Sequence, residues 1–183
     1  MVMIYRYKDL VEVLGKRKTD ELIRTGKYTK ITKGVYKDVN SFDDYEEICM
    51  RYSNTTLTLQ SALYIHHITD YVPDKYYVAS LNKGTIIKND KVMQCFISEK
   101  QYYVGREKII TENGYYYVYN IERLLIEVFR FKNKLPYDFF REIVRSYREL
   151  VNESKLDFNR LVEYANKIAY GRNYLKQIQA IIL

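Results

Sequence analysis

The residues best suited to chemistry lie near the start of the chain. Lys16, Arg17, Lys18, Thr19 and Arg24 crowd together, and Lys27, Lys30, Lys33 and Lys37 follow at intervals of three or four. Lysines act as mobile point charges and suit phosphate oxygens, which impose no fixed geometry on them. Arginine adds a planar fork able to hold a guanine edge bidentately, and Arg17 and Arg24 supply it in this stretch. The first five residues form a candidate groove-reading face, and the four lysines after them a candidate basic ribbon.

A second basic group lies far along the chain, at Arg141, Arg145 and Arg148. Spacings of four and three put these on one helix face, opposite Phe139, Ile143 and Tyr147. Glu142 and Glu149 dilute the charge only in part. This is either a solvated helix face or a possible second electrostatic contact with nucleic acid.

Signals for catalysis are weak. His66 and His67 are the only histidines, and His66 stands four residues before Asp70. A third ligand is missing nearby, and neither CxxC nor HExxH occurs, so packing or capping is the expected role and no metal is expected. GxxxxGK[ST] and GxGxxG are both missing, and local spacing suggests no Ser–His–Asp or Cys–His set. The chain is therefore expected to have no cofactor and not to be an enzyme. Cys49 and Cys95 lie far apart in apolar surroundings, as reduced, buried thiols do.

The first basic group needs a scaffold, and residues 1–38 supply one. Val2 to Tyr7 is strand-like. Lys8 to Leu14 reads as a short helix stopped by Gly15. Lys16 to Lys18 read as a basic turn, and Thr19 as the N-cap of a second helix from Asp20 to Thr25, closed by Gly26. Two short strands then flank Thr32-Lys33-Gly34. A helix, a basic turn, a second helix and a basic hairpin outline a winged helix-turn-helix.

Residues 38–41 are polar and mark a boundary. Beyond it, helices are expected over Phe42 to Arg51 and Thr58 to Ile68. Strands are expected over Tyr76 to Ser80, Thr85 to Lys88, Val92 to Ser98, Tyr102 to Ile110 and Tyr115 to Tyr119. Asn82-Lys83-Gly84, Asn89-Asp90 and Asn113-Gly114 are hairpin-like separators. The last third reads as four helices, with Asn120 and Asp157 as caps and Pro136 in a first turn. The expected fold class is α+β: a small, abbreviated winged helix-turn-helix in residues 1–38, then a mixed domain in 39–183 with a mainly antiparallel sheet and a C-terminal helical bundle.

Charge follows the same division. The net charge is +7. Residues 1–38 hold ten Lys/Arg against five Asp/Glu, residues 39–120 eight against ten, and residues 121–183 twelve against eight. Two basic ends around a slightly acidic middle are compatible with nucleic-acid binding at more than one place. No window approaches the ~20 apolar residues of a membrane span. Arg6, Lys8 and Asp9 interrupt any early signal core. The expectation is a cytoplasmic chain without a membrane partner.

Several runs resemble the AbiEi-type antitoxins of abortive-infection toxin–antitoxin systems. ITKGVYKD (31–38) resembles the family's wing, and SALYIHHITDYVPDKYYVAS (61–80) its central signature. YNIERLLIEVFRFKNKLPYDFFREIVRSY (119–147) and LDFNRLVEYANKI (156–168) resemble its C-terminal helices. The matching positions are Lys33, Gly34, Val35 and Tyr36 in the wing, and Ser61, Leu63, Thr69, Asp70, Pro73 and Asp74 in the centre. The chain departs from the pattern at His67, where the family has glycine, and in lacking a helix before the first one here.

The resemblance implies an antitoxin that represses its own operon by binding double-stranded DNA at an inverted repeat in its promoter. It also implies neutralisation of a cognate nucleotidyltransferase-like toxin, functionally and without a stable complex. Two other readings fit the residues: a protein-interaction module that does not bind DNA, and a stand-alone transcriptional regulator.

Overall fold

Ile4 is buried and Arg6 exposed, and this alternation opens the described chain as strand β1 (Ile4–Arg6). A computed structural model describes residues 4–38, 44–111 and 114–182. Two units divide the chain, one of Met1–Asn54 with Lys108–Tyr116, the other of Thr55–Glu107 with Tyr117–Leu183.

In the first unit β1 runs directly into helix α1 (Tyr7–Leu14), and after Gly15 alone helix α2 (Lys16–Arg24) begins. Gly15 sits at φ 78°, ψ 153°, a conformation essentially reserved for glycine, which lets two helices meet across one residue. Strands β2 (Tyr28–Thr32) and β3 (Val35–Asp38) form a hairpin around Lys33-Gly34. The three strands run in the order β1-β3-β2, with both pairings antiparallel. The ladder shifts between Lys30 and Thr32, so Ile31 turns inward while Lys30 stays exposed. Helix α3 (Asp44–Arg51) packs against β2 through its buried Ile48 side.

The second helix thus starts three residues before Thr19 rather than after it. Thr19 is wholly buried inside α2, and its hydroxyl donates to the Gly15 carbonyl at 3.0 Å. A β-branched hydroxyl that bonds back one turn is compatible with a helix interior, which local cap signals do not distinguish. Val2, Met3, the 39–41 boundary, Phe42 and Asn113 lie outside the described residues.

The second unit is built on strands β4 (Thr56–Leu57), β5 (Tyr76–Leu81) and β6 (Val92–Ile97), with β7 (Arg106–Thr111) and β8 (Gly114–Tyr119). The outer parts of β7 and β8, Lys108–Tyr116, group with the first unit. The five strands run β6-β5-β4-β8-β7. The sheet is mixed rather than mainly antiparallel: β4 pairs antiparallel with β5, but β5 with β6 and β4 with β8 are parallel.

The reason lies at residues 82–91. Thr85 to Lys88 forms no strand. The Gln94 side chain takes its backbone instead, accepting from Ile87 N–H at 2.9 Å and donating to the Thr85 carbonyl at 3.0 Å and to Ser80 Oγ at 2.7 Å. The segment becomes a crossing loop, and β6 returns parallel to β5. Two-residue β4 was also not expected. It lies at the sheet's centre with Thr56 and Leu57 fully buried, too short for its pattern to be read locally.

Helix α4 (Leu59–Ile65) follows β4, and α5 (Glu99–Tyr102) replaces the start of the strand expected from Tyr102. The C-terminal part is helical: α6 (Ile121–Phe131), a 3-10 turn at Lys132–Lys134, α7 (Tyr137–Asn152), α8 (Phe158–Lys167) and α9 (Gly171–Ile182). α6 is the central helix, buried at every residue from Glu122 to Phe129, with α4, α8 and α9 against it. The caps fall where their residue types place them. Asn120 Oδ1 accepts from Arg123 N–H at 3.1 Å, and Asp157 Oδ1 from Asn159 and Arg160 N–H at 2.9 and 3.1 Å. Among the described residues, no helix is long and apolar enough to cross a membrane.

Candidate nucleic-acid interface

The candidate interface comprises α2 and the β2–β3 hairpin of the first unit. On α2, Thr19, Leu22 and Ile23 point inward, which leaves Arg17 and Arg24 on the outer side with Lys16 and Lys18 at its flanks. All four cations are exposed. So are Lys27, Lys30 and Lys33 of the ribbon.

The first turn of α2 reads Lys16-Arg17-Lys18 and holds no acidic residue, and Gly15 offers no side-chain cap. Cations at a helix N-terminus oppose the positive end of the helix dipole, at a cost of a few tenths of a kcal/mol each. The same turn therefore carries a concentrated positive potential and unsatisfied backbone N–H groups, which together suit a phosphate.

The carboxylates of α2 are already occupied. Asp20 accepts from the Tyr7 hydroxyl at 2.6 Å, and Glu21 meets Lys18 at 3.4 Å. Among the described residues, Lys16, Arg17, Arg24, Lys27, Lys30 and Lys33 form no ion pair. Lys37 differs: it pairs with Glu47 of α3, which also holds Arg51 at 2.8 Å, so this lysine serves the fold. Thr19, buried within α2, does not share the exposed surface of its neighbours. The hairpin turn is tethered, because the Gly34 carbonyl accepts from Tyr7 N–H at 2.8 Å. Nothing in the local pattern announced the Tyr7 contacts, which join residues far apart in sequence.

Arg141, Arg145 and Arg148 all lie on the exposed side of α7 in the second unit. Two are engaged: Arg148 donates to the Ile181 carbonyl through Nε and Nη2 at 3.0 and 2.7 Å, and Arg145 meets Glu149 at 3.4 Å. Arg141 lies over the Tyr137 ring, 5.6 Å from its centroid. The three rim a groove of about 600 Å³ with Val144 and Ile181 in its wall. His66 has a structural contact, its Nε2 lying 2.9 Å from the Tyr119 carbonyl, and Asp70 is exposed.

No protein-family model matches the chain, and no curated protein does. Among solved structures, the RV2827C protein of Mycobacterium tuberculosis is similar, with a TM-score of 0.62 at 14% identity, over 98% of this chain and 71% of that one. At that identity the likeness is one of fold alone.

Proposed function

We propose that this chain is a DNA-binding antitoxin of the AbiEi type, which represses its own operon and neutralises a nucleotidyltransferase-like toxin. The observation that carries the DNA-binding part is the first turn of α2. Three adjacent cations sit at a helix N-terminus where they oppose the dipole, and Lys16 and Arg17 have no carboxylate partner among the described residues. A phosphate held there offsets the repulsion.

The order of elements supports a winged helix-turn-helix: β1, two helices joined at Gly15, then the β2–β3 hairpin, with β1 beside β3. In this reading α2, about 13 Å long, enters the major groove, with Arg17 and Arg24 toward the bases. Lys27, Lys30 and Lys33 follow the adjoining phosphates. The second unit carries the antitoxin activity, in keeping with the resemblance of residues 61–80 and 119–168 to that family.

The test is fluorescence anisotropy on the upstream inverted repeat across a salt series. Binding to this repeat is expected to exceed binding to a scrambled duplex. Lys16→Ala, Arg17→Ala and Lys33→Ala are each expected to reduce the salt slope by about 0.9. Equal binding to scrambled DNA, or slopes unchanged by all three variants, would refute it. A folded chain that binds no duplex and co-purifies with a protein partner would favour the interaction-module reading.

A further inference from the structure

A second pocket lies wholly within the second unit, where α5, the Tyr103–Gly105 turn and α8 face one another before the start of α6. Its volume is about 630 Å³, within the range of small-ligand sites. Four cations line it, Lys100, Arg106, Arg160 and Lys167, against two carboxylates, Glu107 and Glu163. The lining thus carries a formal excess of two positive charges.

The arrangement is pre-set. Arg106 is fixed by stacking, its guanidinium carbon 3.5 Å from the Tyr117 ring centroid and 4.9 Å from that of Tyr102, while Nε donates to Thr56 Oγ1 at 2.8 Å. Lys167 meets Glu163 at 2.5 Å, and Arg160 meets Glu107 at 3.8 Å. Asp157 Oδ2 also meets Arg160 Nε at 3.5 Å, while its Oδ1 accepts from two N–H groups of α8. Lys100 is exposed and has no ion pair among the described residues. At the back, Asn120 is 4% exposed and donates to Glu107 and to the Tyr164 hydroxyl, both at 3.1 Å.

We infer that this pocket binds a phosphomonoester of nucleotide size. A phosphomonoester carries about −1.5 to −2 at neutral pH, opposite in sign to the lining's excess charge, and its oxygens accept from several cations at once. Tyr103, 57% exposed at the pocket, offers a ring on which a base can stack. Two sources present this chemistry: a free nucleoside monophosphate, and the 5′-phosphate end of a nucleic acid strand. The inference is independent of DNA reading by the first unit.

Isothermal titration of the full chain tests it, with AMP, adenosine, a 5′-phosphorylated oligonucleotide and the same oligonucleotide without its phosphate. Saturable binding is expected for AMP and not for adenosine. Tighter binding of the phosphorylated oligonucleotide than of AMP or of its unphosphorylated twin assigns the strand end; the reverse assigns the free nucleotide. Lys100→Glu, at an exposed position, removes the excess charge and is expected to weaken AMP at least about tenfold. Glu163→Gln is expected to strengthen it, a change no loss of folding produces. Failure of both phosphate compounds to bind, or binding indifferent to these two variants, overturns the inference.

Discussion

The Tyr7 hydroxyl donates a 2.6 Å hydrogen bond to the Asp20 carboxylate, tying the first residue of α1 to the middle of α2. With the Tyr7 N–H on the Gly34 carbonyl, one residue holds both helices and the hairpin turn. The bond to Asp20 is the main reason that the Tyr7 phenol is raised above its ordinary range. A raised folded value means that the contact is complete below the ordinary phenol range and lost as pH climbs through the raised value. Tyr7→Phe should lower hydrogen-exchange protection in α1 and α2 at neutral pH, whereas the unaltered chain should lose it only in alkali. Equal protection in both at neutral pH would show that the hydroxyl is not a tether.

Gly105 turns the chain at φ 70°, and a Cβ there would lie 2.5 Å from Arg123 Cβ and 2.9 Å from Asn120 Oδ1. Gly105→Ala therefore combines backbone strain with displacement of the α6 cap. The expected loss is at least about 2 kcal/mol in denaturant unfolding. A loss within the noise would mean that the turn relaxes freely.

Glu127 is 1% exposed and meets Arg123, itself fully buried, at 2.5 Å, with Arg130 at 3.5 Å. Glu127→Ala leaves the Arg123 charge buried without its carboxylate, at an expected cost of about 3–5 kcal/mol. Arg123→Met combined with Glu127→Leu removes both charges and should restore most of that stability. A double variant no more stable than Glu127→Ala would contradict the account.

Burial, with the Glu127 charge as a smaller cause, pushes the Cys95 thiol up to about 11 from 9.0. The neutral thiol's contribution to stability is complete below pH 9 and declines as pH rises toward 11. At pH 8 the folded chain holds about a hundredfold less thiolate than the unfolded chain. In a Cys49→Ser background, Cys95 should react with a disulfide reagent about a hundredfold more slowly than in urea. Similar rates in both states would place the thiol in solvent.

Much of the fold was legible because long amphipathic helices repeat one signal. Leu124, Leu125 and Val128 mark α6, Ile143 and Tyr147 mark α7, and all five are wholly buried. Asn120 and Asp157 announced their caps because capping is a contact between near neighbours. Within the candidate interface, Lys16, Arg17, Lys18, Arg24, Lys27, Lys30 and Lys33 were identifiable by type and spacing, and all are exposed.

What tertiary structure alone decided concerns partners distant in sequence. Thr19 reads as a cap until Gly15 joins α1 to α2 and draws its hydroxyl inside. Lys37 reads like its neighbouring lysines until α3 brings Glu47 to it. β6 runs parallel to β5, and the Gln94 side chain, not a neighbouring strand, bonds the backbone of Thr85 and Ile87 between them. The pocket beside α5 and α8 draws Lys100 from α5, Arg106 from β7, and Arg160 and Lys167 from α8. Composition and periodicity report a residue's own preferences and those of its neighbours within a helical turn or two. They carry no information about which remote charge or carbonyl folding will set beside it, and those pairings settle whether a cation stays free for a ligand.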